Sequence, residues 1–115
     1  MKPGNVSDHG EMERDTLRLL CSVLLKPATR VELCRLLDSE KFHEPMRRIV
    51  FEEIRALGAV DARQLLQLLP TRVTNRGFPD FDLRELLEPK LVSEEQIEKL
   101  FQNSLRLMDV ESLSE

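Results

Sequence analysis

The stretch from Phe42 to Leu57, read as FHEPMRRIVFEEIRAL, constrains the fold more than any other part of the sequence. Its apolar residues recur at the three- and four-residue spacing that lines one face of an α-helix, namely Phe42, Met46, Ile49, Val50, Ile54 and Leu57. Pro45 suits a first helical turn, and Gly58 suits the position after a last turn. Phe51 widens the apolar face beyond the needs of a surface helix, so the stretch predicts a core helix with several neighbours.

The remaining apolar residues also follow helical spacing, and no run shows the strict alternation of a strand. Leu17 to Leu25 is apolar nearly all round, which predicts a central buried helix that ends before Pro27. Four more helices are predicted to begin at side chains suited to N-capping, which are Thr29, Asp61, Asp80 and Ser93. The predicted fold class is therefore all-α, a compact bundle of about six helices with no sheet.

The first ten residues differ in composition from the rest of the chain. Residues 1–10 contain few apolar side chains and several turn-forming residues, which predicts a flexible leader. Helical apolar spacing starts at Glu11, so residues 11–115 are predicted to form a single helical domain. A chain of 115 residues is long enough to enclose one hydrophobic core.

Composition narrows the classes of function. Lysine and arginine number 17 against 21 aspartate and glutamate residues, and a net charge of -4 argues against broad phosphate binding. The chain has no Trp or Tyr, which argues against a stacking platform for single-stranded nucleic acid. Cys21 and Cys34 lie in apolar helical pattern and are predicted to be reduced core thiols. Neither a membrane span nor a signal peptide is recognisable, so a cytoplasmic location is predicted.

Residues suited to catalysis or metal binding are few. His9 lies in the predicted leader and His43 at a helix start, and neither is placed beside a nucleophile. The spacings typical of zinc, calcium and nucleotide-phosphate sites do not occur in the sequence. The acidic pair Glu52–Glu53 is predicted to lie on a solvated helix face. We therefore predict no catalytic residue, no cofactor, no metal ion and no small-molecule substrate.

The segment Thr71 to Asp80 has two interpretations. It is predicted to be a loop because Pro70 bounds the fourth helix. In the first interpretation the segment only connects two helices, and Phe78 packs into the core. In the second, Arg72, Arg76 and Phe78 contact a partner, because guanidinium groups suit carboxylates and phosphates.

The last predicted helix carries more apolar residues than one face requires. Leu107, Val110 and Leu113 leave its main apolar stripe, which favours contact with a protein partner or with a second copy. Self-association would then involve the segment Leu105 to Leu113. The alternative is a frayed C-terminus with scattered apolar residues.

Four segments together resemble a known helical domain. They are E-x-x-x-L-x-L-L at Glu13 to Leu20, the Leu24–Leu25 pair before Pro27, LCRLL at Leu33 to Leu37, and F-x-x-P-x-R-x-I-V-F-x-x-I at Phe42 to Ile54. The pattern continues through Leu57, Gly58, Val60, Asp61 and Leu65. It resembles the N-terminal domain of DnaB-type replicative helicases, and the related C-terminal helicase-binding domain of bacterial primases, over Glu11 to Leu69.

The resemblance implies a non-catalytic domain that mediates helicase–primase contact and ring assembly through exposed helix faces and a terminal helical hairpin. No ATPase module follows Glu115 and no zinc or polymerase module precedes Met1, so a fragment or a stand-alone relative is expected. The segment TRVTNRGFPDFD departs from both families.

The predicted function is a non-catalytic helical module for protein–protein interaction, which binds a protein partner or itself. The alternative is a small nucleic-acid-binding protein of helix-turn-helix type. Arg72, Arg76 and the predicted helix from Asp61 to Leu69 motivate this alternative, whereas the net acidity disfavours it.

Overall fold

The helical spacing of the apolar residues produces six α-helices in the described part of the computed structural model. It describes residues 4–88, 90 and 93–108, with side chains described from residue 9 onward. The helices are Gly4–Leu20 (α1), Pro27–Leu36 (α2), Pro45–Leu57 (α3), Ala62–Asn75 (α4), Arg84–Leu87 (α5) and Glu94–Met108 (α6), with a 3-10 helix at Ser39–Lys41. The described residues contain no strand, which confirms the predicted all-α class. None of these helices has the length and apolar content needed to cross a membrane.

The hydrophobic core lies around α1 and α3. α1 packs along α6 in the most extensive helix pair and also contacts α3 and α5, while α3 contacts α2 and α4. A hydrogen bond from Asn103 Nδ2 to Asp15 Oδ2, 2.7 Å long, joins α6 to α1. The apolar residues with 0% exposure include Leu19, Leu20, Phe42, Phe51, Leu65, Leu69, Val73 and Leu107.

The predicted core helix is α3, although it begins at Pro45 rather than at Phe42. Glu44 caps the helix by accepting a hydrogen bond from Arg47 N at 2.9 Å. Phe42 precedes the helix and still reaches the core, where its ring stacks on Phe51 with centroids 4.8 Å apart. The apolar spacing therefore identifies the core residues correctly, even where the backbone is not helical.

Gly58 ends α3 with φ 70° and ψ -137°, a conformation that residues with a Cβ strongly disfavour. We expect Gly58→Ala to lower the free energy of unfolding by about 1–3 kcal/mol. Backbone strain is the cause, because an added Cβ would meet no atom within 4 Å. Urea unfolding followed by circular dichroism measures the loss.

The matched control is Gly10→Ala in α1. Gly10 is helical, and a Cβ there would make only an ordinary 3.5 Å contact with Arg47 Nη1. This control should leave stability unchanged or raise it by up to about 1 kcal/mol, because alanine favours the helix over glycine. An equal loss in both variants would contradict the assignment of strain to Gly58.

α1 ends at Leu20, so the buried helix predicted from Leu17 to Leu25 is wrong beyond that residue. Ser22 draws the chain into a turn, because its hydroxyl oxygen accepts a hydrogen bond from Leu24 N at 3.0 Å. A local hydrogen bond of this kind competes with helix continuation. The apolar residues after Ser22 are therefore distributed around a turn rather than around a helix.

The chain resumes its helical course at Pro27, which is the first residue of α2. Proline has no N–H to satisfy and a φ suited to the first turn, so it starts this helix. Lys26 occupies the N-cap position without a side-chain hydrogen bond, and the capping box predicted at Thr29 is therefore wrong.

The beginning of α1 also differs from the sequence prediction. The helix starts at Gly4, so residues 4–10 are helical where a leader is predicted; residues 1–3 lie outside the described part. His9 Nε2 lies 3.0 Å from Lys41 O, and Arg47 Nη1 donates a hydrogen bond to Gly10 O at 3.3 Å. These contacts tie the N-terminal part of α1 to the segment before α3, which local composition does not reveal.

α4 begins as predicted but extends further. Asp61 caps it by accepting a hydrogen bond from Gln64 N at 2.8 Å. Pro70 lies inside the helix instead of ending it, so the predicted loop from Thr71 is helical as far as Asn75. Proline removes one intrahelical hydrogen bond, yet burial on both sides of it maintains the helix, since Leu69 and Val73 are both 0% exposed.

The two following helices test the remaining cap predictions. α5 begins at Arg84, whose backbone N donates to Asp82 Oδ1 at 3.0 Å, so Asp80 is not its cap. At the start of α6, Gln96 N donates to Ser93 Oγ at 3.2 Å and Ser93 N donates to Gln96 Oε1 at 3.1 Å. This reciprocal pair is the predicted capping box, which is confirmed.

Candidate functional site

The predicted contact residues Arg72 and Arg76 both face α3: Arg72 lies in the last turn of α4, and Arg76 is the C-cap residue of this helix. Arg72 Nε donates to Glu53 Oε1 at 2.6 Å, and Arg76 Nη1 donates to Glu53 Oε2 at 2.6 Å. Arg76 Nη2 also donates to Glu52 Oε1 at 2.9 Å. Both arginines are thus engaged within the chain, and their contacts hold α4 against α3.

Glu53 is the centre of this ion-pair network. It is 7% exposed, so the prediction of a solvated side chain is wrong for this residue. Burial on its own raises the pKa of Glu53, but hydrogen bonds from Arg76 and Arg72 outweigh burial and the pKa is lowered. Hydrogen bonds to Glu52 and Glu53 raise the pKa of Arg76 in turn. Glu53 and Arg76 are therefore both ionised at neutral pH.

The other predicted contact residues have different positions. Phe78 is partly buried and packs against the core, in agreement with the first interpretation of its segment. Leu107 is 0% exposed, so the prediction that it contacts a partner is wrong. Leu107 belongs to the hydrophobic core, so the buried side of α6 is wider than its main apolar stripe indicates. Val110 lies outside the described residues.

A second polar cluster joins α1 to the segment before α3. Glu13 is 1% exposed, and its Oε2 lies 3.0 Å from His9 Nε2 and accepts a hydrogen bond from His43 N at 2.6 Å. Arg47 Nη1 lies 3.3 Å from the other carboxylate oxygen of Glu13. The imidazole rings of His9 and His43 stack with centroids 4.1 Å apart and an interplanar angle of 15°. Two imidazoles and one carboxylate are thus brought together.

Sequence reasoning missed this cluster. The local signal was the pair His9 and Glu13, which are four residues apart and therefore lie on one face of a helix. The pair does not stand out in the sequence because His9 falls in the predicted flexible leader, where no helix face is expected. His43 joins them only through tertiary packing. An open cleft of about 510 Å³ is lined by His9, Gly10, Glu13, His43, Glu44 and Arg47.

Arg30 on α2 is a buried cation. It is 0% exposed, and its Nη2 donates hydrogen bonds to Val60 O and, at 3.3 Å, to Gly58 O. Its Nε and Nη1 atoms have no hydrogen-bond partner among the described residues. Burial lowers the pKa of Arg30 from its usual range. The side chain ties α2 to the turn between α3 and α4.

The two cysteines are free and buried, as predicted. Burial raises the pKa of Cys21 to about 12 and that of Cys34 to about 11. Both thiols are therefore protonated at neutral pH, and a protonated thiol is a poor nucleophile. Their role in the core is that of small apolar side chains.

The turn between α1 and α2 exposes apolar side chains. Val23 is 68% exposed and Leu24 is 54% exposed. A surface depression of about 330 Å³, lined by Val23, Asp61, Ala62 and Arg63, places this turn beside the start of α4. Leu36 on α2 and Leu68 on α4 are also exposed, at 61% and 40%. Two adjacent exposed apolar residues, with the charged Asp61 and Arg63 beside Val23, resemble part of the centre and rim of a protein interface.

Comparison of the chain with protein-family models, with curated proteins and with solved structures found no match. The resemblance to helicase and primase domains therefore stays a prediction.

Proposed function

We propose that this chain is a non-catalytic helical module for protein–protein interaction, and that it acts in the cytoplasm. The observation that carries the proposal is the exposed pair Val23 and Leu24 on the turn between α1 and α2. These two adjacent large apolar side chains are each more than half exposed to water. Burial of their surface against a partner would be energetically favourable. The free thiols Cys21 and Cys34 support a reducing compartment.

The surroundings of the pair support the same function. Val23 shares its depression with Asp61 and Arg63, which supply one charge of each sign at the edge of an apolar centre. Interfaces combine an apolar centre with a polar rim in this way. Ser22 stabilises the turn, since its hydroxyl oxygen accepts a hydrogen bond from Leu24 N, and a stabilised turn lowers the entropy lost on binding.

The partner class to test first is a bacterial replicative helicase or primase. Its support is the sequence resemblance over Glu11 to Leu69, which includes Leu24 in its second segment. Nucleic-acid binding is not proposed, because the two arginines that motivated it are paired within the chain. Arg72 and Arg76 both donate hydrogen bonds to Glu53.

The test compares wild type with the double variant Val23→Ser, Leu24→Ser. Because both side chains are exposed, we expect the thermal unfolding temperature to stay within about 2 °C of wild type. Binding should fall at least about tenfold, since two apolar anchors are lost from the interface. The measurement is crosslinking in cell extract with mass spectrometry to identify the partner, followed by titration calorimetry with that purified partner. Sedimentation equilibrium measures self-association in parallel.

The matched control is Leu36→Ser, which removes an exposed leucine from α2 outside the turn. It should keep the partner that the double variant loses. A set of crosslinked proteins that is identical in all three chains, together with a monomer in sedimentation, would contradict the proposal.

A further inference from the structure

The cluster of His9, Glu13 and His43 contains three side chains of the types that bind transition metals. A ring nitrogen of His9, a ring nitrogen of His43 and a carboxylate oxygen of Glu13 all lie within 4.8 Å of one another. His9 and Glu13 are one turn apart on α1, whereas His43 lies between the 3-10 helix and α3. The fold thus converges three donors from two separate parts of the chain.

The distances require only a small adjustment to hold one ion. Ligands at about 2.1 Å in tetrahedral geometry lie roughly 3.4 Å from one another. Glu13 Oε2 and His9 Nε2 are already 3.0 Å apart. His43 is exposed, so its ring can rotate toward the other two donors without displacing core residues. The two rings stack with centroids 4.1 Å apart, so the His43 ring starts its rotation from a position beside His9.

The surroundings of Glu13 are those of an oriented metal ligand. Its carboxylate is 1% exposed and is fixed by His43 N and by Arg47 Nη1. Such outer hydrogen bonds orient ligands in metal sites and set their affinity. Arg47 also places a positive charge near the carboxylate, so we expect weaker binding than in a closed four-ligand structural site. The cleft above the cluster admits solvent, which would supply the remaining ligand.

We propose that His9, Glu13 and His43 bind a divalent transition-metal ion through a two-histidine, one-carboxylate set, which is a ligand set that holds zinc(II) in proteins. A metal at this position joins the N-terminal turns of α1 to the residues that precede α3. The bond from His9 Nε2 to the metal would replace the 3.0 Å contact of this nitrogen with Lys41 O, and the stronger link would stabilise α1. This site is independent of the exposed turn at Val23 and stands whether or not that turn binds a partner.

The test uses the untagged full chain, freed of metal and titrated with zinc alone. We expect one zinc ion per chain in titration calorimetry. The unfolding temperature should rise by roughly 10 °C when free zinc is about a hundredfold above Kd. Cobalt(II) substitution should give visible bands of a nitrogen and oxygen site without a thiolate charge-transfer band, because Cys21 and Cys34 are buried and protonated.

The variants His43→Gln and His9→Gln isolate the site. His43→Gln should unfold at nearly the wild-type temperature without metal, because His43 is exposed. His9→Gln loses the contacts of His9 with Lys41 and Glu13, so its thermal shift is measured against its own metal-free form. Each should weaken zinc binding by more than about tenfold. Glu11→Gln is the matched control, since this exposed carboxylate lies on α1 outside the cluster and should leave binding unchanged. No thermal shift at millimolar zinc, zinc binding that is unchanged in both histidine variants, or a thiolate band with cobalt would each overturn the proposal.

Discussion

Replacing Phe51 with alanine is expected to lower the free energy of unfolding by about 3–5 kcal/mol. The side chain is 0% exposed, and its ring stacks on Phe42 with centroids 4.8 Å apart. The guanidinium of Arg55 lies 5.1 Å from the ring centroid, so a cation–π contact is lost as well. The closely packed surroundings cannot collapse into the cavity that the variant leaves, so the lost burial and the cavity both contribute.

Urea unfolding followed by far-ultraviolet circular dichroism measures this loss. Phe81→Ala is the control, because Phe81 packs against the core but is only partly buried. Phe81→Ala should lower the free energy of unfolding by about half as much or less, since Phe81 buries less apolar surface in the folded protein than Phe51 does. A loss below about 1 kcal/mol for Phe51→Ala would show that the ring is not part of a close-packed core.

Replacing Glu53 with alanine is expected to lower the free energy of unfolding by about 2–3 kcal/mol. The variant removes the acceptor shared by Arg72 and Arg76, whose hydrogen bonds to it are both 2.6 Å long. The arginines are 43% and 41% exposed, so solvent compensates part of the loss. Glu52→Ala, which breaks only the more exposed pair, should change stability by less than about 0.5 kcal/mol. Equal effects of the two variants would contradict the central role of Glu53.

The same carboxyl group predicts a pH dependence. Because the pKa of Glu53 in the folded state is lowered from the ordinary value of 4.5, its ionised form stabilises the fold above that value. The stabilisation is lost as the pH falls from 4.5 through the lower folded pKa. We expect wild type to lose more stability in this window than Glu53→Gln, which has no proton to gain. Urea midpoints across a pH series measure the difference, and parallel curves would contradict the prediction.

Local sequence signals were sufficient for the fold class and for several helix bounds. The apolar spacing around Val50 predicts α3, and the cap residues Asp61 and Ser93 mark the starts of α4 and α6. These signals work because each involves residues within one or two turns of one another. The same reasoning assigns Cys21 and Cys34 to the core, where they lie.

The two prolines show where local reasoning fails. Pro27 starts a helix and Pro70 lies inside one, although both were predicted to follow a helix end. At Pro70 the burial of Leu69 and Val73 decides the outcome, and such burial depends on α3. Tertiary packing of this kind overrides the local preference against proline.

The polar clusters could not be assigned from local sequence for a similar reason. Glu52 and Glu53 are adjacent residues of the same type, so the sequence does not distinguish them. In the fold the side chain of Glu52 is the more exposed, whereas that of Glu53 is buried against Arg72 and Arg76. His43 meets His9 only after α1 packs beside the start of α3. A helix predicted through His9 would have revealed the local half of the cluster, the pair with Glu13.

The pairing of α1 with α6 has a consequence for how the chain acquires its structure. The hydrogen bond between Asp15 and Asn103 spans 88 residues, so the two helices meet only by closing a large loop. The entropy lost in that closure grows with the logarithm of the loop length, and contacts so distant along the chain slow folding. On the ribosome, α1 emerges well before α6 is synthesised, and its apolar face lacks its main cover during that interval. We expect this uncovered apolar face to be a target for chaperones and proteases until α6 arrives and completes the core.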